Sequence, residues 1–134
     1  MTTITTESII EKPFELTKSI VFDLHSYPNW WFDFKAEFDI SDSAVYFSPI
    51  RFVRFKIKLE NKTEDSIQFQ YKNTPFYGFG TWTIKKINAD NTLVSYSISL
   101  KGKNLISDTF VSSRFFKRKH EKDILNLIKK LEQL

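Results

Sequence analysis

Between Ala36 and Leu100, apolar and polar residues alternate in short runs; beyond Leu105 the apolar ones recur at helical spacing. The first period belongs to strands and the second to a helix. The plainest run sets Val53, Phe55, Ile57 and Leu59 against Arg54, Lys56, Lys58 and Glu60, a strand with one buried face. Asn61 to Asp65 turns the chain, and Ile67, Phe69 and Tyr71 then alternate with Gln68 and Gln70. Gly78 to Ile87 reads as a further strand, with a hairpin turn at Asn88–Asn91. After it, Val94, Tyr96, Ile98 and Leu100 alternate with Ser95, Ser97 and Ser99. Phe38 and Ile40, then Val45 and Phe47, make shorter strands around Ser41-Asp42-Ser43, and Ser48-Pro49 ends the second. Upstream, Thr2 to Ile10 is a first strand with Ile4, Thr6, Ser8 and Ile10 on one face. Pro13 opens a short helix to about Leu24, and Pro28 a second helical turn. Trp30, Trp31, Phe32 and Phe34 follow as a bulky aromatic cap.

Leu105 to Leu134 contains no Gly or Pro, and Asn104 or Ser107 can cap it. An unbroken helix of that length spans about 40–45 Å and needs a surface to lie on. A half-apolar sheet and a half-apolar helix bury each other when the sheet curls around the helix. The expected fold is therefore α+β: a curved antiparallel sheet of six or seven strands gripping a long C-terminal helix, with two short helices after the first strand. The 134 residues form one domain, 1–134.

Composition narrows the chemistry. With 41% hydrophobic residues, 14 Phe and 3 Gly, the chain has the material for a packed core. It has no Cys, which excludes disulfides, thiolate metal sites and Cys nucleophiles. The start, MTTITTESII, lacks a secretory pattern, and no run is long enough to span a membrane, so a cytoplasmic protein is expected. The net charge of +4 is uneven: Arg114, Lys117, Arg118, Lys119 and Lys122 crowd the last helix, with Lys129 and Lys130 beyond. Such a run reads as a solvated face; the alternative is an anionic partner.

The apolar parity of the strands carries no Asp, Glu, Lys or Arg. General acid–base chemistry needs a positioned titratable group, so this absence weighs against hydrolase or cyclase chemistry. His120 shares a helical stripe with Phe116, Ile124, Leu127 and Leu131. His25 lies in a turn beside Asp23, and two separated His without Cys make no metal site. Gly78-Phe79-Gly80 enters a strand rather than opening a helix, which rules out a dinucleotide loop, and no cofactor is expected. Ser26, Ser112 and Ser113 have no His/Asp constellation around them.

Several segments, in this order, resemble a known family. Ile10-Glu11-Lys12-Pro13-Phe14 through Tyr27-Pro28-Asn29-Trp30-Trp31 resembles the opening of the START-like SRPBCC superfamily of polyketide cyclase/dehydrase and lipid-transport proteins. Gly78-Phe79-Gly80-Thr81-Trp82-Thr83-Ile84, with Asn91-Thr92-Leu93-Val94-Ser95-Tyr96, resembles that group's later hairpin, with Ile84 in place of Leu. The resemblance implies a helix-grip fold around a site for a small apolar or amphipathic molecule, and no shared catalytic residue. A cyclase, dehydratase or hydrolase-like enzyme is the alternative it leaves open. Phe55, Ile57, Phe69, Tyr71, Trp82, Tyr96, Phe116 and His120 are the candidate ligand contacts, and Tyr27, Trp30 and Trp31 a candidate lid or entrance. The same wall also fits a core packed shut, and the aromatic segment a plug. No nucleic-acid partner is expected, a monomer or weak homodimer is, and the basic helix leaves a transient membrane-surface contact open.

Overall fold

The computed structural model describes residues 1–31, 37–39, 41, 43–47 and 54–134. Phe32, Phe34, Ile40, Asp42, Ser48, Pro49 and Val53, and the side chain of Phe38, lie outside the described residues. Strand β1 (Thr2–Ile10) leads into α1 (Phe14–Val21), a 3-10 turn (Leu24–Ser26) and the one-turn helix α2 (Tyr27–Trp30). Then come β2 (Glu37–Asp39), β3 (Ala44–Phe47), β4 (Phe55–Lys62), β5 (Ser66–Lys72), β6 (Phe76–Lys86) and β7 (Thr92–Gly102). Two helices close the described chain, α3 (Leu105–Val111) and α4 (Arg114–Glu132). The seven strands form one antiparallel sheet in the order β1-β7-β6-β5-β4-β3-β2. This is the α+β architecture that the two periodicities predict.

Alternation fixes which face is inward. β1 pairs with β7 along its whole length, from Thr2↔Leu100 to Ile10↔Thr92, so Ile4 and Ile10 share a face with Val94, Ile98 and Leu100. Trp82 and Ile84 on β6, Ile67 and Phe69 on β5, and Ile57 on β4 continue that face. Ile124, Leu127, Ile128 and Leu131 of α4 complete the same core. The far end of α4 is pinned: Glu132 accepts from the Glu11 backbone N–H (2.7 Å), and the Lys12 ammonium donates to the Leu134 carbonyl (2.5 Å).

Three boundaries depart from expectation. The first helix ends at Val21, because Asp23 turns the chain and its side chain accepts from the His25 backbone N–H (3.1 Å). β6 starts two residues earlier than predicted, giving Phe76 the inward parity. The long helix is broken at Ser112–Ser113. Ser113 is extended (φ −75°, ψ 153°) and its side chain caps α4 by accepting from the Phe116 N–H (3.2 Å). Ser112 returns its hydroxyl to the Asp108 carbonyl (2.9 Å). Serine side chains that compete for backbone groups favour caps over helix interiors, so α4 is about 28 Å long. Gly102 permits α3 to cross the sheet end: it has the parity of Leu100, and a β-carbon there would overlap the backbone of Asp108.

Candidate functional site

Between the concave face of the sheet and α4 lies a cavity of about 650 Å³. Phe47 and Phe55 wall it from β3 and β4, Tyr71 from β5, and Tyr96 and Leu100 from β7. Phe116 and His120 wall it from α4, and Trp31 from the end of α2. Such a site, mostly apolar with a few polar groups, suits a small molecule whose body is greasy and whose orientation is set by one or two hydrogen bonds.

Five of the eight candidate contacts line this space: Phe55, Tyr71, Tyr96, Phe116 and His120. Ile57, Phe69 and Trp82 share the concave face but are each 0% exposed and do not line it. For the two aromatics the cause is α2. The Trp31 ring sits 5.8 Å from Phe69 and 5.4 Å from Trp82, and the Trp30 ring 5.7 Å from Trp82. Tyr27 and Trp30, expected as a lid or entrance, are therefore buried as a plug. Tyr27 donates its hydroxyl to the Val21 carbonyl, and Trp30 Nε1 donates to Ser26 Oγ (2.9 Å). Trp31 alone of the three reaches the cavity. The part of the groove under α2 is filled by aromatic rings, and the cavity lies in the part beside α4.

The polar groups are sparse and specific. Tyr71 and Tyr96 hydrogen-bond to each other through their hydroxyls at 2.6 Å. Burial pushes Tyr71 up to about 12 and Tyr96 well above the ordinary tyrosine value, so both are neutral phenols. One of the two protons is used between them; the other is left for a third partner. The arrangement depends on Gly80: Tyr96 on β7 reaches Tyr71 on β5 across β6, and a β-carbon at Gly80 would overlap the Tyr96 hydroxyl. A glycine inside a strand marks such a close approach, and that is the signal in the sequence for this contact.

His120 stacks on Phe116 (5.8 Å between centroids) and lies 6.0 Å from the Tyr96 ring. Burial lowers its pKa to about 4, against the opposing pull of Asp123. It is thus a neutral imidazole, and its buried Nε2 has no hydrogen-bond partner among the described residues. A buried, unpaired ring nitrogen costs free energy unless something fills the position. Trp82 Nε1 is also unpartnered among the described residues, but it lies behind the plug rather than on the cavity.

Periodicity missed the rim. Lys119, Asp123, Asn126 and Lys130 of α4 and Thr74 before β6 all line the cavity. Lys119 and Asp123 are ion-paired (3.2 Å) and more than half exposed. In the sequence these residues belong to a charge run with nothing to separate the rim from the open face. Among the described residues no cluster of His, Cys, Asp or Glu is arranged to hold a metal ion, and no helix is long and apolar enough to cross a membrane.

No family model matches the chain, and no curated protein does. Solved structures do. The protein XoxI from Bacillus cereus superposes with a TM-score of 0.79 at 16% identity, over 99% of this chain and 94% of that one. A START superfamily protein from Mycobacterium smegmatis gives 0.74 at 16% identity, over 98% and 94%. The ZhuI aromatase/cyclase from a Streptomyces species gives 0.71 at 9% identity, over 96% and 93%. At such identities the likeness concerns the fold, and the chain has the START-like helix-grip fold.

Proposed function

We propose that this protein binds a small apolar or amphipathic molecule between its sheet and α4 and carries out no chemistry on it. The observation that carries this reading is the half-open groove: a cavity of about 650 Å³ with aromatic walls, in which the Tyr71–Tyr96 pair and His120 Nε2 retain unused hydrogen-bonding capacity. These groups orient a hydroxyl or carbonyl at the inner part of the ligand, while its apolar body packs on Phe55, Phe116 and Trp31. Native mass spectrometry of protein purified from its own host tests it, together with uptake of a polarity-sensitive dye. A retained small molecule, or a dye that brightens and is displaced by amphiphiles, is expected. Failure of both overturns the reading.

One arrangement favours a second reading, an enzyme of the cyclase type named for the Streptomyces neighbour. A neutral imidazole and two phenols in an apolar cavity are groups that can take and give protons. Under this reading a linear poly-β-ketone closes a ring by forming a carbon–carbon bond and then loses water, which mass spectrometry reads, and His120→Gln abolishes that loss while leaving dye uptake intact.

A further inference from the structure

Outside the cavity, the segment from α3 into α4 has an unusual surface. Leu105 and Ile106 are 81% and 84% exposed, Phe115 is 67% exposed and Phe110 45%. On α3, Leu105 and Thr109, and Ile106 and Phe110, are spaced four apart and so share the side away from buried Val111. Thr109, the polar member of that side, turns its hydroxyl back onto the Leu105 carbonyl (2.8 Å). Aliphatic side chains this exposed, side by side, mark an interaction surface rather than the scatter of single apolar residues found on any protein.

Charge says what the surface meets. Residues 101–118 carry five Lys/Arg (Lys101, Lys103, Arg114, Lys117, Arg118) against one acid, Asp108; Lys119 is paired with Asp123. A net charge as large as the whole chain's +4 therefore sits on this segment. A second copy of the chain is a poor occupant, because a two-fold contact sets the same cations against one another. Nucleic acid would satisfy the cations but leave Leu105 and Ile106 against water. An anionic lipid surface answers both, taking the apolar side chains among its acyl chains and the cations among its headgroups.

We infer that α3 and the first turn of α4 dock this protein reversibly on anionic membranes, with Leu105, Ile106 and Phe115 inserted and Lys103, Arg114 and Arg118 at headgroup level. The docked segment adjoins the cavity: the Phe110 ring meets Phe116 at 5.4 Å, and Phe116 is a cavity wall. Docking therefore brings the site to the lipid, although the inference stands on residues outside the cavity and does not depend on what the cavity holds.

Co-sedimentation of the full chain with phosphatidylglycerol–phosphatidylcholine vesicles, compared with pure phosphatidylcholine, tests it. Binding to the anionic vesicles is expected to weaken steeply as salt rises. It should fall roughly tenfold or more in Leu105→Ser/Ile106→Ser, whose exposed positions leave the fold intact. A second variant, Arg114→Glu/Arg118→Glu, should abolish the preference for anionic lipid with an unchanged circular-dichroism spectrum. Failure to bind anionic vesicles, or binding indifferent to both variants, overturns the inference. So does a concentration-dependent dimer that Leu105→Ser/Ile106→Ser dissolves, since the patch is then an interface between copies.

Discussion

Gly80→Ala is a change of one methyl group that the structure makes costly. The new β-carbon would overlap the Tyr96 hydroxyl. Tyr96 has little room to retreat: its ring is 4.6 Å from Trp82 and 5.5 Å from Trp31, and the residue is 1% exposed. Forcing a methyl into so tight a cluster costs about 1–3 kcal/mol. Breaking the 2.6 Å bond to Tyr71 adds about 1 kcal/mol. Against this, replacing a glycine inside a strand returns roughly 0.5–1 kcal/mol. The net loss is about 1–3.5 kcal/mol, which lowers Tm by roughly 4–12 °C for a domain of this size. Urea unfolding measures it, and a cycle with Tyr96→Leu isolates the cause. Leucine leaves space where the phenol ring was, so the added methyl should fill a void in the double variant. That variant is expected to be more stable than the sum of the singles by about 1.5 kcal/mol or more. A Gly80→Ala protein as stable as the parent, or a strictly additive double variant, refutes the proposed crossing of β6 by Tyr96.

Two further outcomes are expected. Unfolded, the His120 imidazole titrates near 6.5; folded, near 4. Between these values the unfolded chain binds a proton that the folded chain refuses, so its contribution is complete above about pH 6.5 and is lost as pH falls through about 4. The loss reaches about 3 kcal/mol, and His120→Phe should remove that part of the acid sensitivity in paired urea titrations at pH 7 and pH 4.5. Trp30→Ala opens a hole in the plug and should cost about 3–5 kcal/mol by the same assay; if instead only dye binding fell, the plug assignment would fail.

How far the residues themselves announce this arrangement differs from place to place. β1 runs from Thr2 to Ile10, as its alternation predicts, because strand parity is set by a period of two that neighbours cannot shift without exposing the core. The stripe from Phe116 through His120 to Leu131 is legible for the same reason at helical period. What fails is anything decided by packing across the groove. Nothing local to Phe69 or Trp82 says that Trp31 will cover them, and nothing in the run Arg114–Lys122 separates the cavity rim from open solvent. The serine pair was legible in principle, since Ser112 and Ser113 are poor helix-interior residues, but the absence of Gly and Pro outweighed them. Gly80 carried its meaning openly as a glycine inside a strand, yet the partner that needs the space lies on the neighbouring strand β7, where strand periodicity alone does not point.

The interruption at Ser112–Ser113 also frees two surfaces from a common phase. In a continuous rod, each residue from 105 onward would be locked at a fixed angle to His120, and any outward apolar residue would dictate what faced the sheet. With the axis reset at Ser113, the angle at which Leu105 and Ile106 leave α3 is independent of the angle at which the α4 stripe meets the sheet. A change at those outward positions therefore need not be matched by a change on the face turned to the sheet.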